Sequence, residues 1–146
     1  MVRMKAAVLF QSLTGTTRRA GELIAANLQQ EGWGITGVSP VGKPELASIQ
    51  QADLVVIGTW VHGLFVVGQM PFGVANLENL PAMRGKKAAT YVTYGLNPGK
   101  SLAKVDDAVR KVGVEVVGSS AIHRRTLNAA TEAFAADLVQ KFAALK

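Results

Sequence analysis

Four hydroxyl residues surround one glycine in the segment Gln11-Ser12-Leu13-Thr14-Gly15-Thr16-Thr17. If that segment opens a helix, it is suited to hold an anion. The free N–H groups of the first turn point outward, the helix dipole favours negative charge, and the hydroxyls add further donors. No lysine follows the glycine as a P-loop requires, and Gly-x-Gly-x-x-Gly is absent. ATP, GTP and NAD are therefore disfavoured as ligands of this segment. The plainer alternative is that Thr14, Thr16 or Thr17 merely caps the helix. One cap accounts for one hydroxyl and leaves the others unexplained.

Two further segments carry residues suited to a flat, polar-edged ligand. Gly58-Thr59-Trp60-Val61-His62-Gly63 offers an indole, a hydroxyl and two glycines. Thr93-Tyr94-Gly95-Leu96-Asn97-Pro98-Gly99-Lys100 offers a phenol, a hydroxyl and a turn sequence. An indole gives a large apolar face for stacking, although as an isolated feature Trp60 would read as a partly buried core aromatic. His62 either hydrogen-bonds a ligand edge or points to solvent. Asn97-Pro98-Gly99 is a turn in any reading. The chain has no cysteine, which excludes disulfides and thiol redox chemistry. Any redox role must then rest on a bound cofactor; no metal site and no catalytic acid, base or nucleophile is expected.

These segments have to be positioned by the elements around them, and strand and helix patterns alternate along the whole chain. Met4 to Phe10 is a short apolar run, the mark of a strand buried on both faces. From Thr16 on, Ala20, Leu23, Ile24 and Leu28 recur at helical spacing, with Gly32 as a stop. Gly34 to Val38 reads as a weaker strand, and Pro44 opens a short helix through Ile49. Leu54 to Ile57, Lys87 to Thr93 and Val114 to Ile122 read as three more strands. Ser101 to Val112 and the stretch from about Asn128 read as amphipathic helices. Five strands separated by helices imply parallel pairing with right-handed crossovers and helices on both faces. Such a sheet binds ligands beyond the carboxyl ends of its strands, here the loops after Phe10, Ile57, Val92 and Ile122. The hydroxyl segment and both aromatic segments fall on those loops.

The 146 residues suit one domain with a full-sized core, and residues 1–146 show no linker, repeat or low-complexity tract. The net charge is +6, which nominally points to an acidic partner. The basic residues are scattered, however, and no nucleic-acid motif appears; no nucleic-acid partner is expected. The apolar run Ala6 to Phe10 is too brief for a signal-peptide core, and Leu54 to Met70 is interrupted by His62 and three glycines. A cytoplasmic protein with no membrane association is the expectation.

The segment from Val8 to Thr17, with Ala20 and Leu23 after it, resembles the flavodoxin signature. That signature runs from an aliphatic-aromatic strand end through Ser/Thr-x-Thr-Gly-x-Thr into an amphipathic helix. The order of strands and helices is similar over essentially the whole chain. The resemblance implies a three-layer, doubly wound α/β fold with a five-stranded parallel sheet in the order 2-1-3-4-5. It also implies FMN as cofactor, its phosphate held by Ser12, Leu13, Thr14, Gly15, Thr16 and Thr17. Trp60 would then pack on the isoalloxazine, Gly63 would supply a peptide able to flip near the reactive nitrogen, and Thr59 would reach the ribityl chain. Val61 and His62 would be neighbours of the flavin. Tyr94 would be a second stacking aromatic, with Thr93, Gly95, Asn97 and Lys100 along the same edge.

The chain also departs from that family. Flavodoxins that carry electrons are strongly acidic, whereas this chain is basic and its three cofactor segments hold no Asp or Glu. Lys100 is expected on the same edge; His123-Arg124-Arg125, after the fifth strand, either faces the flavin mouth, where it would attract an acidic partner or a phosphorylated nicotinamide, or is simply a solvated loop. Leu64 to Phe72 is apolar where an acidic rim would be expected; it is either core beneath the Trp60 segment or a partner surface, a homodimer seam included. The function these features suggest is an FMN electron carrier serving a redox protein that is acidic or apolar at its docking face. The alternatives are an NAD(P)H-dependent reductase of quinones or other small acceptors, and a binding module that has lost FMN.

Overall fold

The computed structural model describes residues 3–62 and 70–144. In chain order the elements are β1 (Lys5–Phe10), α1 (Thr16–Gln30), β2 (Gly34–Pro40), α2 (Leu46–Gln51), β3 (Leu54–His62), β4 (Met70–Pro71), α3 (Val74–Glu78), β5 (Lys87–Tyr94), α4 (Ser101–Arg110), β6 (Glu115–His123) and α5 (Leu127–Ala144). The sheet runs β2-β1-β3-β5-β6, and all four pairings along that path are parallel. Numbering only those five strands in sequence gives 2-1-3-4-5. The parallel pairing is as expected from the alternation of patterns, and the doubly wound, three-layer α/β arrangement and strand order are those the resemblance implies.

Period-two burial on the strands builds two cores. From β1, Ala6 and Val8 face one layer with Ile24, Leu28, Phe134 and Leu138 of α1 and α5. Ala7 and Leu9 face the other, with Val105, Ala108 and Val109 of α4. Strands covered on both faces read as unbroken apolar runs, which is why β1 and the first half of β3 were legible.

Two features differ from expectation. β3 does not end at Ile57 but continues through Gly58, Thr59, Trp60 and Val61, because Gly58, Thr59 and Trp60 pair with Tyr91, Val92 and Thr93 of β5. The ladder supplies partners that a sequence break of glycine and threonine hides. In addition, Met70 and Pro71 return antiparallel to Val61 and His62, and α3 follows at once. The structural role of Leu64 to Phe72, core or dimer seam, falls largely outside the described residues; only its last part is seen. None of the described helices is long and apolar enough to cross a membrane.

Candidate functional site

The register brings the carboxyl ends of four strands level. Phe10 lies opposite Gly58, Trp60 opposite Thr93, and Tyr94 opposite His123. The segments at residues 11–15, 60–62, 94–100 and 123–126 therefore meet at one end of the sheet.

The first of them is built around Gly15, which takes φ 96° and ψ −11° immediately before α1. That left-handed conformation suits glycine, because a Cβ would clash with its own backbone. Ser12 Oγ accepts the Gly15 N–H at 3.0 Å and closes the loop. Among the described residues no side chain caps α1. The capping alternative for Thr14, Thr16 and Thr17 thus falls, and the first-turn N–H groups stay open to a ligand. Leu13, Thr14 and Gly15 are exposed, and Thr16 is half-buried.

Thr17 is placed differently. Its hydroxyl and that of Thr93 are both buried and lie 2.7 Å apart in one hydrogen bond, tying α1 to β5 beneath the loop. Thr59 is also fully buried, and its hydroxyl donates to the Phe72 carbonyl at 2.9 Å. These three hydroxyls are engaged with the protein, whereas Thr14 above them is exposed.

Trp60 is half-buried and stacks on Phe72, with ring centroids 4.8 Å apart and planes 13° from parallel. Val61 beside it is half-buried, His62 ends β3, and Gly63 lies outside the described residues. Tyr94 is half-buried and meets the His123 ring edge-on at 5.1 Å. Gly95 follows it; Asn97 is engaged in its turn, Oδ1 accepting the Gly99 N–H at 2.8 Å. Lys100 is exposed just ahead of α4.

Sequence reasoning missed the residue that joins these parts. Gln11 is buried at the end of β1. Its Nε2 donates to the Phe72 carbonyl at 3.0 Å, and to Thr59 Oγ1 and the Gly73 carbonyl at 3.3 Å each. Its Oε1 accepts from Asn76 at 2.9 Å. The only sequence signal was a lone amide after five apolar residues.

Electrostatically the whole end is positive. Arg18 and Arg19 sit in the first turn of α1, Lys100 precedes α4, and Arg124 and Arg125 precede α5; no first turn of these helices described carries an acidic residue. Cations at helix N-termini are disfavoured by the dipole, so an anion bound there relieves repulsion as well as gaining hydrogen bonds. Arg18 is partly compensated, lying 3.6 Å from Glu22 and over the Phe10 ring.

No protein-family model matches this chain, and no curated protein does. Solved structures do match. A flavodoxin from Pseudomonas aeruginosa, studied as a C101S mutant, aligns at TM-score 0.69 and 18% identity over 94% of this chain and 98% of its own. A Streptococcus pneumonia TIGR4 flavodoxin gives 0.68 and 19% over 94% and 99%. Megasphaera elsdenii flavodoxin, solved in its two-electron reduced form, gives 0.68 and 17% over 90% and 98%. At such identities the likeness establishes the fold, which is flavodoxin-like.

Proposed function

We propose that this chain, with its flavodoxin fold, binds FMN at the carboxyl end of the sheet and carries electrons for a redox partner protein. One observation bears most of the weight. An uncapped helix N-terminus lies under an exposed hydroxyl loop, next to two half-buried aromatics on neighbouring strands. The loop fits a phosphate: Thr16 and Thr17 offer first-turn main-chain N–H groups, Thr14 and Thr16 offer hydroxyls, and residues 11–17 contain no carboxylate to repel it. Trp60 and Tyr94 fit the flat ring system, and Thr93 and Gly95 border it. When bound, the flavin supplies the electron storage; the protein supplies position and field.

The chain's own residues are suited to holding and tuning rather than to acid–base work. His123 Nδ1 accepts the Arg125 N–H at 3.1 Å, and its ring packs on Tyr94, so the imidazole is engaged in the loop. Gln11 and Thr59 anchor the segment that carries Phe72, and through it the aromatic stack on Trp60. Thr17 and Thr93 fix the phosphate loop to β5. Each of these contacts restrains a wall of the site, which lowers the ordering cost of binding a rigid ligand.

The test is the visible spectrum of the purified protein before and after FMN is added, followed by steady-state assay with NAD(P)H. A bound flavin spectrum with no NAD(P)H oxidation by the protein alone is the expected result. A protein that stays colourless with excess FMN would overturn the reading, and rapid NAD(P)H turnover would move it to a reductase.

A further inference from the structure

At the same end of the sheet as the proposed flavin site, between α1 and the start of α5, lies a cavity of about 550 Å³. It is lined by Arg19 and Leu23 of α1 and by residues 124–129, among them Arg124 and Arg125. No carboxylate lines it. Among the described residues, none of the three arginines has a carboxylate within 4.0 Å; the ion pairs formed lie elsewhere. Three arginines held around one concavity without counter-charge repel one another, and bound anionic charge removes that repulsion.

The start of α5 adds main-chain donors to the same cavity. Thr126 precedes the helix, and its hydroxyl donates to the His123 carbonyl at 3.3 Å. The first helical hydrogen bond to Thr126 comes from Ala130, at 3.0 Å. Leu127, Asn128 and Ala129 are among the residues that line the cavity, and their N–H groups precede that bond and are not consumed by the ladder.

We propose that this cavity binds a small phosphate-bearing ligand of nucleotide size, separately from the residue 12–17 loop. Guanidinium groups match phosphate oxygens in pairs, and the volume falls within the range of about 300–1,000 Å³ usual for small-ligand sites. Its position gives the ligand a role. Arg124 lines the cavity and at the same time covers Gly95, its guanidinium carbon lying 3.2 Å from where a Gly95 Cβ would be. Its main-chain N–H donates to the Tyr94 carbonyl at 2.9 Å. A phosphate drawing Arg124 toward α5 would act on the loop that borders the proposed flavin. The cavity itself does not depend on the flavin reading.

The experiment is calorimetric titration of the full chain with inorganic pyrophosphate and with AMP, adenosine serving as the uncharged control. Three proteins are compared: wild type, Arg19→Gln/Arg125→Gln, and Thr14→Val/Thr16→Val. Arg19 and Arg125 are exposed, so the first variant should stay folded, with far-UV circular dichroism as the check. Saturable phosphate binding that weakens about tenfold or more in the arginine variant, and persists in the threonine variant, is the expected result. Equal affinity in the arginine variant, or loss in the threonine variant alone, overturns the proposal. Arginine-dependent binding of polyglutamate without binding of pyrophosphate or AMP also overturns it, and assigns the surface to an acidic polypeptide.

Discussion

Tyr91 Oη donates a 2.8 Å hydrogen bond to the main-chain oxygen of Thr17, joining the middle of β5 to the first turn of α1. The phenol is fully buried, so this bond forms where water cannot compete for either partner. Room for the ring comes from two glycines. A Cβ at Gly58 would stand 2.0 Å from the ring carbon bearing the hydroxyl, and one at Gly21 would stand 2.7 Å from the hydroxyl oxygen. The helix that follows the residue 12–15 loop is thus seated on a tyrosine that the glycines admit.

Burial pushes the Tyr91 phenol well above its ordinary value of 10.0, and the Glu22 carboxylate adds to the effect. The folded state holds the proton more tightly than the unfolded chain does. This group therefore contributes stability that is fully present below pH 10 and is lost as pH rises toward the folded value. Tyr91→Phe should cost about 1 kcal/mol near neutrality by removing one net hydrogen bond, and should flatten the alkaline decline. Urea melts of both proteins from pH 7 to pH 11.5 measure this; parallel curves through the alkaline range would rule out Tyr91 as the source.

Gly58→Ala should be among the most damaging single-methyl additions in the chain. The three nearest ring atoms of Tyr91 stand 2.0, 2.2 and 2.4 Å from the new Cβ, and the ring is locked by burial and by its bond to Thr17. Overpacking of this kind costs about 1–3 kcal/mol or more. Gly42→Ala, where nothing lies within 4 Å, serves as the control and should change little. In Gly58→Ala/Tyr91→Leu, where a smaller side chain receives the methyl, the combined loss should fall below the sum of the single losses. Strict additivity in chemical denaturation would mean that the ring is not the obstacle.

Much of this geometry was legible in the sequence, and the parts that were not share a cause. The strands Lys5–Phe10 and Lys87–Tyr94 announce themselves because both faces are buried, and Gly15 with its hydroxyl neighbours marks the loop that follows the first. The extension of β3 through Trp60 was hidden, since Gly58 and Thr59 look like a strand end until Tyr91 and Val92 are known to lie alongside. The Thr17–Thr93 bond, across 76 residues of sequence, depends on the sheet order. Pairing partners far apart in the chain leave no local signature.

Gln11 belongs to that second kind, and its removal is informative. Gln11→Ala withdraws donors from the Phe72 and Gly73 carbonyls and the acceptor from Asn76. Leaving buried polar groups short of partners costs about 1–3 kcal/mol. The loss should be local as well as global, because Thr59 then holds Phe72 with less support and the Trp60–Phe72 stack loosens. A lowered urea midpoint together with a red-shifted tryptophan emission is the expected pair of results. An unchanged emission maximum would show that the stack does not rely on Gln11.

The charge at the mouth of the site carries the last prediction, which rests on the FMN reading. Lys100 and Arg124 stand where residues 11–17, 58–63 and 93–100 supply no carboxylate. Positive charge favours the anionic, fully reduced flavin, so its formation should occur at a less negative potential than in acidic flavodoxins. At about 10 Å in a mostly aqueous field, one unit of charge is worth about 0.4 kcal/mol. Lys100→Glu changes the charge by two units, about 0.8 kcal/mol, which for a one-electron couple amounts to about 35 mV. The variant should therefore be harder to reduce fully by roughly that amount, and the gap should narrow as salt shortens the screening length. Redox titration of both FMN-loaded proteins at low and high ionic strength decides the matter. Identical potentials at low salt would place Lys100 outside the field of the flavin.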